Sequence, residues 1–346
     1  MVHRRAVLHL LDGPPREQAQ ARAALATATA TRCVITPAPG PGGKGHDVRE
    51  IGRLVGLAAT SGSRVLHCHG AGGAWHAWKA AGVSGARYAI SVAGPDVLVR
   101  ARDDARLRGA LVWARLVVVP SQFLADVVLA RDVPHARVHV VPPGVPLGPE
   151  PAPRRNPLPV VAFTGALDDQ SGALDAAKAL AGLPVTARFV GSGPHAGALR
   201  EHRVEVVVTD DPAVQRAALD AADLAVTAGR TTEDGDAEAW GRTAVEAQAA
   251  GLPVVATRNG GLAQWVAPDG AVLVPSHGDV VSSLRLAVQD LLARPGDWPA
   301  MGRAGRAHVR EHLDVARRTA ELEQLELALA GRGALRDGLT RPPDQF

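Results

Sequence analysis

The sequence predicts an α/β fold of two Rossmann-like domains, each a parallel sheet wrapped by helices, facing a central cleft. Three observations lead there. Short apolar runs alternate with Ala-rich stretches of helical length along most of the chain. A Pro-rich stretch, Pro142-Pro-Gly-Val-Pro-Leu-Gly-Pro-Glu-Pro-Ala-Pro153, falls near the middle and suits neither regular state, which makes it a linker. The 346 residues, 46% of them hydrophobic, are enough to bury a core in each half.

Taken in order, the first half carries strand-like runs at Ala6–Leu11, Cys33–Thr36, Arg64–Cys68, Tyr88–Val92, Leu116–Val119 and Val138–Val141. Each is short and mostly apolar, as a strand buried on both faces must be. Helical stretches fit between them at Arg16–Thr27, Val48–Thr60, Ala74–Ala81, Asp103–Ala114 and Ser121–Ala130. The second half repeats the rhythm, with strands at Val160–Thr164, Val185–Val190, Glu205–Thr209, Leu224–Thr227, Pro253–Thr257 and Ala271–Val274. Its helices are expected at Ala173–Leu180, Pro194–Arg200, Pro212–Ala222, Gly241–Ala250, Gly261–Val266 and Val280–Ala293. These runs divide the chain into an N-terminal domain over 1–148, a C-terminal domain over 149–315, and a last helix with a polar tail over 316–346.

Composition removes several function classes. Lys+Arg at 38 against Asp+Glu at 35, with 21% charged residues, is the balance of a folded globular protein and argues against disorder. The basic residues are nearly all Arg and aromatics make up only 3%, so there is no basic stripe interleaved with aromatics and no nucleic-acid partner is expected. Two cysteines, Cys33 and Cys68, cannot build a disulfide scaffold and suit a reducing compartment. The apolar run Ala6–Leu11 is too short for a signal-peptide core, and no stretch approaches the ~18 apolar residues of a membrane span. A cytoplasmic protein is expected. Arg100, Arg102, Arg106 and Arg108 are broken by Asp103 and Asp104, which reads as a solvated helix face, so membrane association is peripheral at most.

The most informative segment runs from Glu238 through Trp240-Gly241-Arg242-Thr243 and Glu246 to Gly251-Leu-Pro253-Val-Val-Ala-Thr-Arg-Asn-Gly260-Gly261. An Ala-rich helix after Gly241 ends where Gly251 supplies a left-handed residue and Pro253 follows. Its amino end offers N–H groups and a positive dipole, a seat for a diphosphate. Glu246 lies about one and a half turns in, where a carboxylate can accept from a ribose diol, and Glu238 just precedes the helix. Gly260-Gly261 and Gly191-Ser-Gly193 let the backbone approach a ligand closely.

This string resembles the signature of the retaining GT-B glycosyltransferases of family 4. Val118-Val-Pro-Ser121, Val140-Val-Pro-Pro-Gly144, Phe163-Thr-Gly165 and Phe189-Val-Gly191-Ser-Gly193 fall around it in the family's order, and the resemblance covers about residues 60–330. It implies that Glu246 binds ribose and Glu238 the donor hexose, with the Gly-Gly turn at the phosphate–sugar junction. Gly165, Gly191, Gly193, Gly241, Arg242, Thr243, Gly260 and Gly261 complete the expected donor site. Glu238, Asp96 and His69 are the expected catalytic residues.

The departures from that pattern are as specific as the matches. Ala166 and Ser171 stand where the family usually has an Arg and a Lys clamping the diphosphate, so Arg242 or Arg230 is expected to supply the charge. Ala93 stands where many members have a His before the Gly-x-Asp kept here as Gly94 and Asp96. Leu66-His67-Cys68-His69-Gly70 ends a strand with two imidazoles. Of these, His69 is either an acceptor or cleft residue or a turn cap, and further metal ligands at a suitable spacing are not evident. Trp75 and Trp78 read as a helix packing face, with stacking on a sugar acceptor the alternative for Trp75, close to the Gly-rich loop.

The resemblance implies transfer of a hexosyl group from a nucleotide-diphosphate sugar to an acceptor hydroxyl, with no cofactor or metal. The last helix, near Val315–Leu329, is expected to cross back to the first domain. Two alternatives stay open: a binding or catalytically impaired relative, and a sugar-nucleotide epimerase of the same fold.

Overall fold

The computed structural model describes residues 6–11, 25, 32–38, 44–100, 104–151 and 156–331. The expected helix over Arg16–Thr27, Arg102 and Asp103, the end of the Pro-rich linker and the tail beyond Gly333 lie outside the described residues. Contacts divide the chain into two units, one of residues 1–144 with 315–346 and the other of residues 145–314.

The first unit holds a six-stranded sheet in the order β2-β1-β3-β4-β5-β6, formed by β1 (Ala6–Leu11), β2 (Arg32–Pro37), β3 (Ser63–His69), β4 (Arg87–Ser91), β5 (Leu116–Val119) and β6 (Val138–Val140). All its pairings are parallel. The strands are apolar without interruption at β5 and buried throughout at β1 and β5, as sheets covered on both faces require. Helices α1 (Lys44–Ser61), α2 (Ala74–Ser84), α3 (Ala105–Trp113) and α4 (Gln122–Leu129) fill the crossovers. Asp104 caps α3 by accepting from the Arg106 and Leu107 amides, and Ser121 caps α4 from the Leu124 amide. The order reverses between β1 and β3, the switch point at which such sheets open a crevice.

The second unit holds β7 (Val160–Ala166), β8 (Thr186–Ser192), β9 (Glu205–Val208), β10 (Leu224–Thr227), β11 (Val254–Arg258) and β12 (Ala271–Pro275), paired in the order β12-β11-β10-β7-β8-β9. That is the doubly wound arrangement, with its switch point between β7 and β10. Its helices are α5 (Ala173–Leu180), α6 (Ala196–Leu199), α7 (Pro212–Asp220), α8 (Arg242–Ala249), α9 (Leu262–Trp265), α10 (Val280–Ala293) and α11 (Trp298–His312). Phe163 and Phe189 stack at 5.0 Å in its core.

Helix α11 is absent from the sequence expectation, because Pro299, Gly302 and Gly305 read as loop signals. The Pro sits in the first turn, where no intrahelical N–H is needed. The glycines are there for contact. A Cβ on Gly302 would stand 2.2 Å from the Gly251 carbonyl, and one on Gly305 would stand 3.0 Å from Gln248 Cγ. A π-helical turn over Asp96–Arg100 was likewise not expected.

Helix α12 (Val315–Ala330) belongs to the first unit. Leu322, Leu325, Leu329 and Ala330 pack on the face made by Val7, Val65, Ala89, Leu116 and Val118. No helix among the described residues is long and apolar enough to cross a membrane.

Candidate functional site

In the second unit, the expected donor residues converge at the carboxyl ends of β7, β8 and β11 and at the amino end of α8. Of the eight residues of α8, five are buried, and Arg242, Thr243 and Glu246 form its half-exposed face. They lie at i, i+1 and i+4, hence on one side of the helix. The end of β7 lies against this turn, since a Cβ on Gly165 would stand 3.0 Å from Thr243 Cγ2.

Gly241 is the residue before α8, with φ +80°. The half-buried Glu238 turns back onto it. Its Oε1 accepts from the Gly241 amide at 3.0 Å and from the Trp240 amide at 3.4 Å. Its own backbone is held at both ends: the N–H donates to Asn259 Oδ1 at 2.8 Å, and the carbonyl accepts from the Gly261 N–H at 2.9 Å. Asn259 in turn donates to Thr231 Oγ1 at 3.0 Å. The loop before α8 is thereby stitched to the turn after β11.

This stitching gives the glycines a reason the sequence did not show. At Gly260 (φ +51°) a Cβ would stand 2.0 Å from the Glu238 carbonyl. At Gly191 it would stand 1.7 Å from the Gly165 carbonyl, and at Gly193 2.4 Å from the Leu167 carbonyl. The close approach at these three positions is of chain to chain.

The charge around the site differs from the expectation at Arg230. Its guanidinium is ion-paired with Asp175, and its backbone N–H donates to the Gln170 carbonyl at 2.9 Å. The pair walls a polar pocket of about 290 Å³, shared with Thr231, Ser276, His277 and Asp279. Arg230 is therefore tied to a carboxylate where a free phosphate clamp was expected, because Asp175 stands in the first turn of α5 beside the switch point. Ser171 closes a turn, donating from its hydroxyl to the Asp168 carbonyl at 2.9 Å and accepting from the Asp168 amide at 3.2 Å. The loop before α8 is acidic. Burial, with Asp234, Glu238 and Asp168 nearby, raises the Asp236 carboxyl above the ordinary carboxylate range, against a lowering bond from the Ala237 amide.

The other two expected catalytic residues lie in the first unit. Asp96 is buried, and its Oδ2 accepts from the Ala93 amide at 3.0 Å, so it fixes the loop after β4. His69, half-buried at the end of β3, meets His9 on β1, with His9 Nδ1 3.1 Å from His69 Nε2. His67 stacks on His69 with ring centroids 4.3 Å apart. It bonds Glu326 Oε1 through Nδ1 at 2.6 Å and Ser91 Oγ through Nε2 at 2.9 Å.

His9 is the residue that sequence reasoning missed. It is 60 positions from His69 and became adjacent only through the parallel β1–β3 pairing, in which His9 faces His67. The one available signal was parity, since β1 has a single polar side chain in an apolar run. Desolvation lowers His9 and His67 to about 3 each and His69 well below its ordinary value. Trp75 and Trp78 are half-buried and form the expected packing face, toward α3: Arg106 lies over the Trp75 ring, and Trp78 stacks on the exposed Trp113.

Two family models match this chain, Glycosyltransferase Family 4 over residues 3–148 and Glycosyl transferases group 1 over residues 158–294. A GDP-mannose-dependent alpha-(1-6)-phosphatidylinositol monomannoside mannosyltransferase of Mycolicibacterium smegmatis is 35% identical over 153 residues, covering 42% of this chain and 39% of that protein. A Corynebacterium glutamicum GDP-mannose-dependent monoacylated alpha-(1-6)-phosphatidylinositol monomannoside mannosyltransferase is 41% identical over 92 residues, 26% of this chain and 24% of that one. The matches thus span well under half the length of these relatives. Among solved structures, a glycosyltransferase from Rickettsia africae superposes with a TM-score of 0.76 at 13% identity, covering 96% of this chain and all of that one. HepE of Anabaena, in complex with UDP and glucose, gives 0.72 at 16% identity, covering 93% and 99%. With its two halves matched in order by the two models and its fold shared with these structures, the chain belongs to the group 1/family 4 glycosyltransferases of the GT-B fold.

Proposed function

We propose that the chain transfers a hexosyl group from a nucleotide-diphosphate sugar to an acceptor hydroxyl, with retention of configuration. The observation that carries this reading is the half-exposed face of α8, where Arg242, Thr243 and Glu246 stand beside the end of β7 and behind the pinned Glu238 loop. In this reading the amides and dipole of the α8 amino end stabilise the diphosphate as it departs, with Arg242 adding charge. Glu246 accepts from the ribose diol. Glu238 keeps a second carboxylate oxygen for a hexose hydroxyl while Oε1 holds the Gly241 amide. The departing phosphate takes the acceptor proton on the same face, and the first unit carries the acceptor. The reading assigns no metal to the donor site.

Both mannosyltransferase relatives are named for GDP-mannose, and HepE was solved with UDP and glucose, so GDP and UDP head the list of nucleotides to test. The experiment is thermal stabilisation of the wild type and Glu246→Ala by UDP, GDP, ADP, dTDP and CDP. A bound nucleotide at a hundredfold excess over its Kd adds about 2.7 kcal/mol of stability. One nucleotide should stabilise the wild type and lose at least tenfold in affinity in the variant, and its sugar should then be transferred to an acceptor. If no nucleotide stabilises the protein, the donor reading is overturned. A second reading, nucleotide binding without transfer, is favoured by Arg230 being tied to Asp175 and by Ser171 closing a turn. It would show as binding with no turnover.

A further inference from the structure

The first unit has a switch point of its own, between β1 and β3, and three histidines occupy it. His9 faces His67 across the pairing, and His69 follows two residues on. Alternation along a strand therefore puts all three imidazoles on one face, at the carboxyl ends of the strands, where ligands of such sheets bind. One nitrogen from each ring lies within 4.8 Å of the other two. A tetrahedral cation holding imidazole nitrogens at about 2.0–2.1 Å would space them by about 3.3 Å. The His9 Nδ1 to His69 Nε2 separation is already 3.1 Å.

The surroundings complete the pattern. Histidine ligands of metals commonly hand their other nitrogen to a carboxylate, which fixes the tautomer and leaves a lone pair for the cation. His67 has that arrangement, with Nδ1 on Glu326 at 2.6 Å while Nε2 meets only the Ser91 hydroxyl. The carboxylate comes from α12, whose Glu323 and Glu326 are both buried on the face it lays against the sheet. Glu326 Oε2 is buried and has no hydrogen-bond partner, which is costly for a carboxylate oxygen unless a positive charge nearby compensates.

We propose that His9, His67 and His69 bind a divalent transition-metal cation of the Zn²⁺ class, with Glu326 as the carboxylate partner of His67. Nitrogen-rich sites of this kind suit Zn²⁺ or Co²⁺ over Mg²⁺ or Ca²⁺. The site fastens the switch point to α12 and is independent of the donor reading.

The test uses the full chain, untagged and freed of metal with a chelator, titrated with Co²⁺ as a spectroscopic probe. The expected result is one equivalent bound, with the visible absorption of a four-coordinate site, displaced by one equivalent of Zn²⁺. In His69→Ala and His9→Ala, checked for folding by circular dichroism, affinity should fall at least a hundredfold. X-ray absorption of the Zn²⁺-loaded wild type, which needs no variant, should show scattering from three imidazoles. The proposal is overturned by any of three results: no visible band at stoichiometric Co²⁺, a band undiminished in the folded variants, or a zinc environment with fewer than two imidazoles.

Discussion

Glu238 closes the loop before α8 with its backbone, its side chain and its position opposite Gly260. A carboxylate that the motif marks as sugar-binding holds the helix start in place, a role that was not legible from spacing alone. Beside it, Asp236 makes a prediction about pH. Its folded carboxyl is raised above the ordinary range by burial first and by its acidic neighbours second, so the folded state holds the proton more tightly than the unfolded chain. Folding therefore loses stability as pH climbs from the unfolded value, about 3.9, through the raised folded value, and the deficit persists at neutral pH. Asp236→Asn keeps the acceptor for the Ala237 amide and removes that deficit. Urea melts at stepped pH should find the variant more stable at pH 7, with the gap closing toward pH 4. A gap that does not change with pH would count against this account.

Among the elements, α11 shows what patterning misses. Its Pro and two glycines look like punctuation, and only the contact with α8 and Gly251 explains why small residues are needed there. The same helix carries a buried guanidinium. Arg306 donates to the Ala249 carbonyl at the end of α8, to Gly148 at 2.6 Å and to Pro149 at 3.1 Å, with Glu150 3.2 Å away. It thus ties the linker stretch to the helix that carries the expected donor residues. Replacing it by Met keeps much of the stem but leaves these carbonyls unpaired, which should cost about 2–4 kcal/mol of stability. Chemical denaturation measures that cost. A loss below about 1 kcal/mol would mean that water takes over the carbonyls. The strands, by contrast, were legible to within one or two residues, because the sheets leave short, mostly apolar runs between the helical stretches. Sequence order could not show which strands are neighbours, and for that reason His9 was overlooked.

Across the whole molecule, the first unit is discontinuous, since α12 returns to it after the second unit. A chain ended after Asp314 would bare Val7, Val65, Ala89, Leu116 and Val118 and remove Glu326 from His67. Such a chain should self-associate and bind a hydrophobic dye where the full chain does not. Size-exclusion chromatography with dye fluorescence reads both, and a monomeric, dye-silent product would show that α12 is dispensable.

The same return has a consequence for biosynthesis. The first sheet leaves the ribosome without its cover, and residues 145–314 must be translated before α12 exists. At ~5–20 residues per second that wait is about 10–35 s, during which the second unit can fold on its own while the first holds an uncovered apolar face. Newly made chains would therefore depend on chaperone protection of their first half, a need that ends once translation has passed Ala330.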